Sequence, residues 1–540
     1  MNGADKIDPD AKALVMKLDG LPLALSTAGA YLEHVTTSFA EYLRLYKASW
    51  LKLQTTSPRL SSYEDRSLYT TWQVTFDRIR KQNAASAQLL KLWAYFDKQD
   101  VWFELLRHAC SADDEWIRKL TEDKLNFNEA VRLLCEYGLA HTEPSLRQPS
   151  GSAGYGVHSC VHSWTISVLN GEWDDGLARL ALTCVASEVP STDVDKWWLL
   201  QHRLLQHAAR HEHLITNGNV GIEGIEWALH SLGNLYADQG KLVEAEAMYS
   251  RALQGCEEAL GPKHTSTLST VNNLGLLYAD QGKLAEAEAM YSRALQGKEE
   301  ALGLKHTSTL DTVNNLGLLY ADQGKLAEAE AMYSRALQGK EEALGPKHTS
   351  TLLTVNNLGL LYAGQGKLAE AEAMYSRALQ GYKEALGPKH TSTLATVNNL
   401  GLLYADQGKL AEAEAMYSRT LQGYEEALGP QLMSSYLPAL NTMFAFGNLF
   451  SLTGRKDLAK VMYSRALAGY TTVQGPSSKW CRQLQDRLQT LQVASIEPKA
   501  GQDEFTEIGA PKSRSHKRKQ VVQEHSCVTR TRRRRSLRTG

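Results

Sequence analysis

LGLLYADQGKLAEAEAMYSRALQ, residues Leu274 to Gln296, returns unchanged as Leu316 to Gln338. Near copies begin at Leu232, Leu358 and Leu400, which sets a period of 42 residues. A degenerate sixth copy, FGNLFSLTGRKDLAKVMYSRALA, begins at Phe446 after a four-residue slip. A fixed period of this length marks a stacked array of one supersecondary unit, so the repeat is read before any single motif. Within the second unit, Leu268, Val271, Leu274 and Tyr278 recur at spacings of three and four, which predicts a helix over Ser266 to Ala279. Gly282 breaks the pattern. Leu284, Ala287, Tyr291, Ala294 and Leu295 then restart it, which predicts a second helix running to about Leu302, before Gly303. Gly261 and Pro262 stop one helix, and Thr265 or Ser266 is placed to cap the next.

The small residues Gly275, Ala287 and Ala294 permit close approach of helices, and Tyr278 and Tyr291 fill the remaining space. This Leu-Gly, Tyr, Ala, Tyr, Ala series resembles the tetratricopeptide signature in all six units, with Phe446 and Phe450 as substitutes in the last. The long period and the GPKHTSTL connection, Gly261 to Leu268, resemble the variant repeat of kinesin light chains and of many fungal tetratricopeptide receptors. The expected fold class is therefore all-α: an α-α superhelix over residues 226–470, preceded by a helical and winged-helix-like region. Each unit leaves an apolar face that only a neighbour covers, so the ends need caps. Trp480, Leu484, Leu488 and Leu491 share one face of a predicted capping helix within 471–495.

Differences among the copies are few. The residue after the shared Leu of the first helix is Ser269, Asp311, Leu353 and Ala395 in successive units. A second set is Asp280, Asp322, Gly364 and Asp406, and a third is Cys256, Lys298, Lys340, Tyr382 and Tyr424. In tetratricopeptide arrays the first helix lines a concave groove, and the resemblance points the first set into it, as a recognition surface for a protein or peptide. Drift at positions where packing forbids little is the alternative account of the same variation. The amide pairs Asn272-Asn273, Asn314-Asn315, Asn356-Asn357 and Asn398-Asn399 sit beside them. An amide offers donors and an acceptor, so a ladder of them would hold an extended backbone, while at least one of each pair is expected to bond the adjacent helix. His264, His306, His348 and His390 recur once per unit, too far apart to share an ion at the roughly 2 Å bond lengths zinc needs. They read as turn residues, and no metal is expected.

Residues 1–225 lack the repeat but carry three short matches in order. DGLPLALSTAGAYLE at Asp19 resembles the Gly-x-Pro segment of the NB-ARC nucleotide-binding module, with Pro22 in the place of the proline that packs near adenine. SLYTTWQVTFDRIR at Ser67 resembles the opening of the winged-helix region of fungal receptors of this class. VHSCVHSW at Val157 resembles the Met-His-Asp motif that senses nucleotide there, with His158 as its histidine and Ser159 and Ser163 at the acidic positions. The implied organisation is an NB-ARC helical remnant over 1–60, a winged-helix-like region over 61–170 and a helical linker over 171–225. No G-x-x-x-x-G-K-[ST] precedes Asp19. A phosphate needs a glycine loop and a lysine to hold it, so ATP or ADP is not expected as a cofactor. Either the gene product is truncated or the relative is degenerate.

The bulk properties set further bounds. With 540 residues the chain exceeds one compact domain and carries a formal net charge of −1, without global attraction to nucleic acid or anionic membranes. No signal peptide and no apolar run of about 20 residues is present, which predicts an intracellular, cytoplasmic chain without membrane contact. Seven cysteines without a C-x-x-C pair fit neither a disulfide framework nor a zinc site and are expected to be reduced and mostly buried. From Pro511 onward eleven lysines and arginines face one acidic residue, Glu524. This tail, 496–540, is expected to be disordered, to resemble a bipartite nuclear-import signal, and to bind nucleic acid weakly and without sequence preference.

The reading that follows is a non-enzymatic interaction protein, similar to the sensor arm of an NB-ARC and tetratricopeptide receptor, with self-association as in such signalling ATPases. A kinesin-light-chain-like cargo adaptor is the first alternative, although residues 1–225 show no sustained heptads. A subunit of a signal-transducing NTPase, its phosphate loop supplied elsewhere, is the second.

Overall fold

The computed structural model describes residues 8–18, 25, 28–29, 32, 38–44, 68–111, 114–143, 152–192, 194, 197–221 and 223–493. Pro22 and the basic tail lie outside these residues. The chain divides into two compact units, residues 1–190 with 200–228, and residues 191–199 with 229–540.

In the amino-terminal unit, helices Leu68–Gln82, Ala84–Trp93, Phe103–Arg107, Glu115–Glu122 and Lys124–Glu136 lead into a two-stranded antiparallel ribbon that pairs His141 with Gly156 and Thr142 with Tyr155. Helix Ser159–Trp164 follows, then Asp175–Glu188 and, from Leu200 on, helix Trp197–Thr216, whose first three residues belong to the second unit. The stretch expected as a linker is part of this core: Ala178, Ala181, Leu182, Cys184 and Val185 are all fully buried. Their three- and four-residue spacing makes a continuous apolar stripe, and such a stripe packs inward rather than bridging domains.

The second unit is six helical hairpins. Its second hairpin is typical, with helices Thr265–Asp280 and Leu284–Leu302 joined at Gly282, whose φ of +80° only glycine adopts without strain. A Cβ on Gly275 would stand 2.9 Å from the Tyr291 ring, so the missing side chain is what lets the two helices of a hairpin interlock. The cap differs from the expectation. His264 Nδ1 accepts from the Ser266 amide at 3.2 Å, and His306, His348 and His390 do the same one period apart. A ring nitrogen two residues ahead of the free amide reaches it as an Asx-type acceptor would. Thr267 instead donates to the Gly261 carbonyl at 2.8 Å, tying the preceding connection down.

The four-residue slip before the sixth hairpin is absorbed in one helix. Leu410–Met433 passes through Gly429 at φ +75° and adds a further turn beginning at Pro430. Helix Lys479–Val493 closes the array, burying Cys481 and Leu484 and stacking Trp480 on Tyr470 at a centroid distance of 5.4 Å. Neighbouring hairpins are stitched at the surface by repeating ion pairs, Lys263–Glu300, Lys305–Glu342, Lys347–Glu384 and Lys389–Glu426, each at 2.8 Å. Exposed pairs of this kind contribute little stability. Their regular spacing reports a constant step between hairpins.

That step winds the array until its ends meet. A Cβ on Gly240, in the turn of the first hairpin, would lie 3.2 Å from Leu437 and 3.6 Å from Val473 of the sixth. Small per-repeat rotations accumulate into superhelical curvature, and here about five steps suffice to close a turn.

Candidate functional site: the interior of the array

The first helices do not line an open groove. In Thr307–Asp322 every residue from Ser308 to Leu319 is buried, and the first helices of the neighbouring hairpins are buried to similar extents. Twelve consecutive residues cover all faces of a helix with 3.6 residues per turn. The residues expected to be exposed for recognition are therefore covered: Ser269 (8%), Asp311 (5%), Leu353 (6%) and Ala395 (7%) retain only small exposures. The winding of the coil is the physical reason, because it brings the inner sides of successive first helices together.

Each of these positions has a counterpart 29 residues later, on the second helix of the same hairpin. Asp311 and Lys340 form an ion pair of 3.0 Å, and Ser350 donates to the same carboxylate at 3.2 Å. Lys340 also donates to Thr354 Oγ1 at 3.2 Å. In the sixth hairpin the Tyr470 hydroxyl donates to Asn441 Oδ1. At the same spacing the sequence pairs Leu353 with Tyr382 and Ala395 with Tyr424, all four buried. In the third hairpin the first and third sets of differences thus meet in one interior position. Acid meets base in the third hairpin and amide meets hydroxyl in the sixth, as a close-packed interior requires.

The asparagines form a ladder that bonds array to array rather than array to ligand. Asn315 donates to Asn272 Oδ1 at 3.4 Å, Asn357 to Asn314 at 3.4 Å and Asn399 to Asn356 at 3.3 Å, each across 43 residues. Asn273 donates to Asn234 at 2.9 Å, and Thr312 donates to Asn272 Oδ1 at 3.0 Å. Both members of each pair are buried, so the expectation that one stays available for a peptide backbone is corrected. The ladder ends at Asn398. The sixth hairpin places Phe444 and Ala445 where the second to fifth hairpins have asparagines, and the buried Asn398 amide has neither its donor nor its acceptor matched among the described residues.

In the amino-terminal unit His158 directly precedes helix Ser159–Trp164 and stacks on His141 at 4.7 Å. Lys98 donates to Ser159. Three histidines that sequence reading passed over are buried close by. His162 Nε2 donates to the carbonyls of Trp93 and Phe96 at 3.2 Å, and burial, helped by Arg210, lowers its pKa to about 4. Burial, with the His207 and Arg210 charges, lowers His211 to about 3. His207 accepts from the Asp97 amide at 3.2 Å and donates to the Asp100 carbonyl at 3.0 Å. Arg203 pairs with both Asp100 oxygens at 2.7 and 2.8 Å while lying over the Trp102 ring. Among the described residues no helix is long and apolar enough to cross a membrane.

Comparison with known proteins adds to this geometry. Residues 224–300, 307–383 and 351–426 match the tetratricopeptide repeat family. A nucleotide-binding leucine-rich repeat (NLR)-like protein of the fungus Hyaloscypha variabilis is 31% identical over 293 residues, 50% of this chain and 26% of its own length. The chain thus spans about a quarter of that relative. Among solved structures, a Podosopora anserina kinesin light chain with nearly identical TPR-like repeats is 20% identical, with 40% of this chain and 97% of that one covered and a TM-score of 0.31. A Pyrococcus horikoshii Signal Transduction ATPase with Numerous Domains, bearing a tetratricopeptide repeat sensor, is 14% identical, with 88% and 70% covered and a TM-score of 0.38.

Proposed function

We propose that this tetratricopeptide-repeat chain, similar to a fungal NLR-like protein, is the ligand-sensing and regulatory part of a signalling receptor and recognises a protein or peptide through its array. The observation that carries the reading is the array itself: six stacked hairpins joined by an interior amide ladder, a scaffold built to hold a surface rather than to react. Because the sides of the first helices are covered, the proposed contact surface lies at their amino-terminal ends. There Lys263, Lys305 and Lys347 stand 79%, 80% and 76% exposed beside the capping histidines.

The reading includes no catalysis and no bound ATP or ADP, a cytoplasmic location with nuclear import through the basic tail, and self-association of the kind signalling ATPases show. Affinity capture with the full chain and with a variant carrying Lys263, Lys305 and Lys347 as Glu tests the surface. Shared partners lost from the variant support it, and an unchanged partner set overturns it. Isothermal titration with ATP and ADP tests the absence of nucleotide, which tight binding would refute.

A further inference from the structure

The four capping histidines hold the same bond to the same serine amide, yet they differ in cover. His264 and His306 are exposed, His348 is half-buried, and His390 retains 5% exposure. At His390 a pair of residues from outside the repeats adds to the cover. Trp198 packs edge-on against the His390 ring at a centroid distance of 6.4 Å, with Trp197 against Trp198 at 5.9 Å. Both indoles are buried, at 7% and 5%, within the apolar cluster that includes Leu394, Leu402 and Tyr424.

The fit is good for carbon and poor for polar atoms. Among the described residues neither indole N–H has a hydrogen-bond partner, nor do the Tyr424 hydroxyl and the two polar atoms of Asn398. Asn398 is fully buried, and on its helix it lies one turn from Leu394 and one turn from Leu402, both members of that cluster. A buried polar atom left unpaired destabilises the contact that buries it. The two indole N–H groups and the Tyr424 hydroxyl, unpaired within one apolar cluster, mark an occupant that supplies apolar surface and little else.

We infer that the amino-terminal end of the fifth hairpin's first helix is a docking surface for adjacent aromatic side chains, and that Trp197–Trp198 is its resident, displaceable occupant. The partner it fits is a peptide segment with two neighbouring bulky aromatics and a free backbone that answers the unpaired Tyr424 hydroxyl. The inference rests on the reading of the array as a binding scaffold. The occupant is tethered, and a tethered segment acts at an effective concentration of order millimolar. A free peptide therefore binds the intact chain much more weakly than one whose own tryptophans are gone.

The test is fluorescence anisotropy of a labelled peptide of residues 189–201 with the full chain and with W197A/W198A. We expect at least about tenfold tighter binding to the double variant. We also expect loss of that binding when the peptide's tryptophans become alanine, or when His390→Glu is added to the protein. Equal affinity for both proteins, or no binding to a double variant whose helical circular dichroism is intact, overturns the inference. Should the double variant unfold, 19F spectra of the 5-fluorotryptophan-labelled wild-type chain, assigned with W198F, read the same event. A Trp198 resonance that moves under saturating peptide supports displacement, and one that stays overturns it. A failed peptide experiment beside a successful capture experiment removes this site while leaving the scaffold reading standing.

Discussion

Asp311 and Lys340 face each other at 3.0 Å in the interior of the array, with 6% and 0% of their side chains exposed. The pair occupies the position that Leu353 and Tyr382 fill one hairpin later. Desolvating two charges largely cancels their attraction, whereas removing one leaves the other buried and unanswered. Asp311→Ala is therefore expected to destabilise the array by about 3 kcal/mol or more, and the swap Asp311→Leu with Lys340→Tyr to cost little or to stabilise. Urea denaturation followed by circular dichroism separates the two. A single variant as stable as the double would show that the pair is not buried as described.

The amide ladder predicts opposite outcomes at its middle and its end. Asn356→Leu removes the acceptor of Asn399 and is expected to lose about 1–3 kcal/mol. Asn398→Leu replaces an amide without partners and is expected to be neutral or stabilising. Thermal midpoints of the two variants, measured side by side, decide whether the ladder is structural.

Gly275→Ala forces a Cβ to within 2.9 Å of the Tyr291 ring. Overpacking of this kind costs about 1–3 kcal/mol. Gly282→Ala meets open space but must hold φ at +80°, and the expected cost is smaller, about 1 kcal/mol. Pairing Gly275→Ala with Tyr291→Phe should not rescue it, since the close atoms are ring carbons; rescue would point to the hydroxyl instead.

Acid should weaken the amino-terminal unit. His162 and His211 are lowered from 6.5 to about 4 and about 3, chiefly by burial. The unfolded chain then binds protons that the folded chain refuses, so stability is complete above about pH 6.5 and falls as pH drops towards those values. The slope is up to about 1.4 kcal/mol per pH unit for each group. Urea midpoints of the wild-type chain should fall between pH 7.5 and pH 5, and His211→Phe should flatten the fall. A His211→Phe profile that parallels wild type would remove His211 from the effect.

The hairpins were legible from Leu274 onward because helical spacing, turn glycines and a strict period agree with one another. The inward tyrosine of each hairpin was legible too, from the glycine it packs on. The 29-residue relation between the two sets of differences was present in the sequence, as Asp with Lys and Asn with Tyr, but only contact geometry turns a spacing into a pair. Spacing likewise could not tell that His264 and its copies cap helices, since this depends on where one ring nitrogen points. The covering of His390 by Trp198 had no local signal at all, because the two lie 192 positions apart in the chain.

What the sequence determined by itself is the unit: two helices, their lengths, their interlocking faces and their number. Those follow from local propensity and from contacts within about 42 residues, which every copy repeats. What only the tertiary structure decided is which side of the unit meets solvent. A small rotation at each interface is too subtle to read from side chains. Summed over the array, it carries Gly240 round to Leu437 and turns the first helices from the wall of a groove into a closed interior.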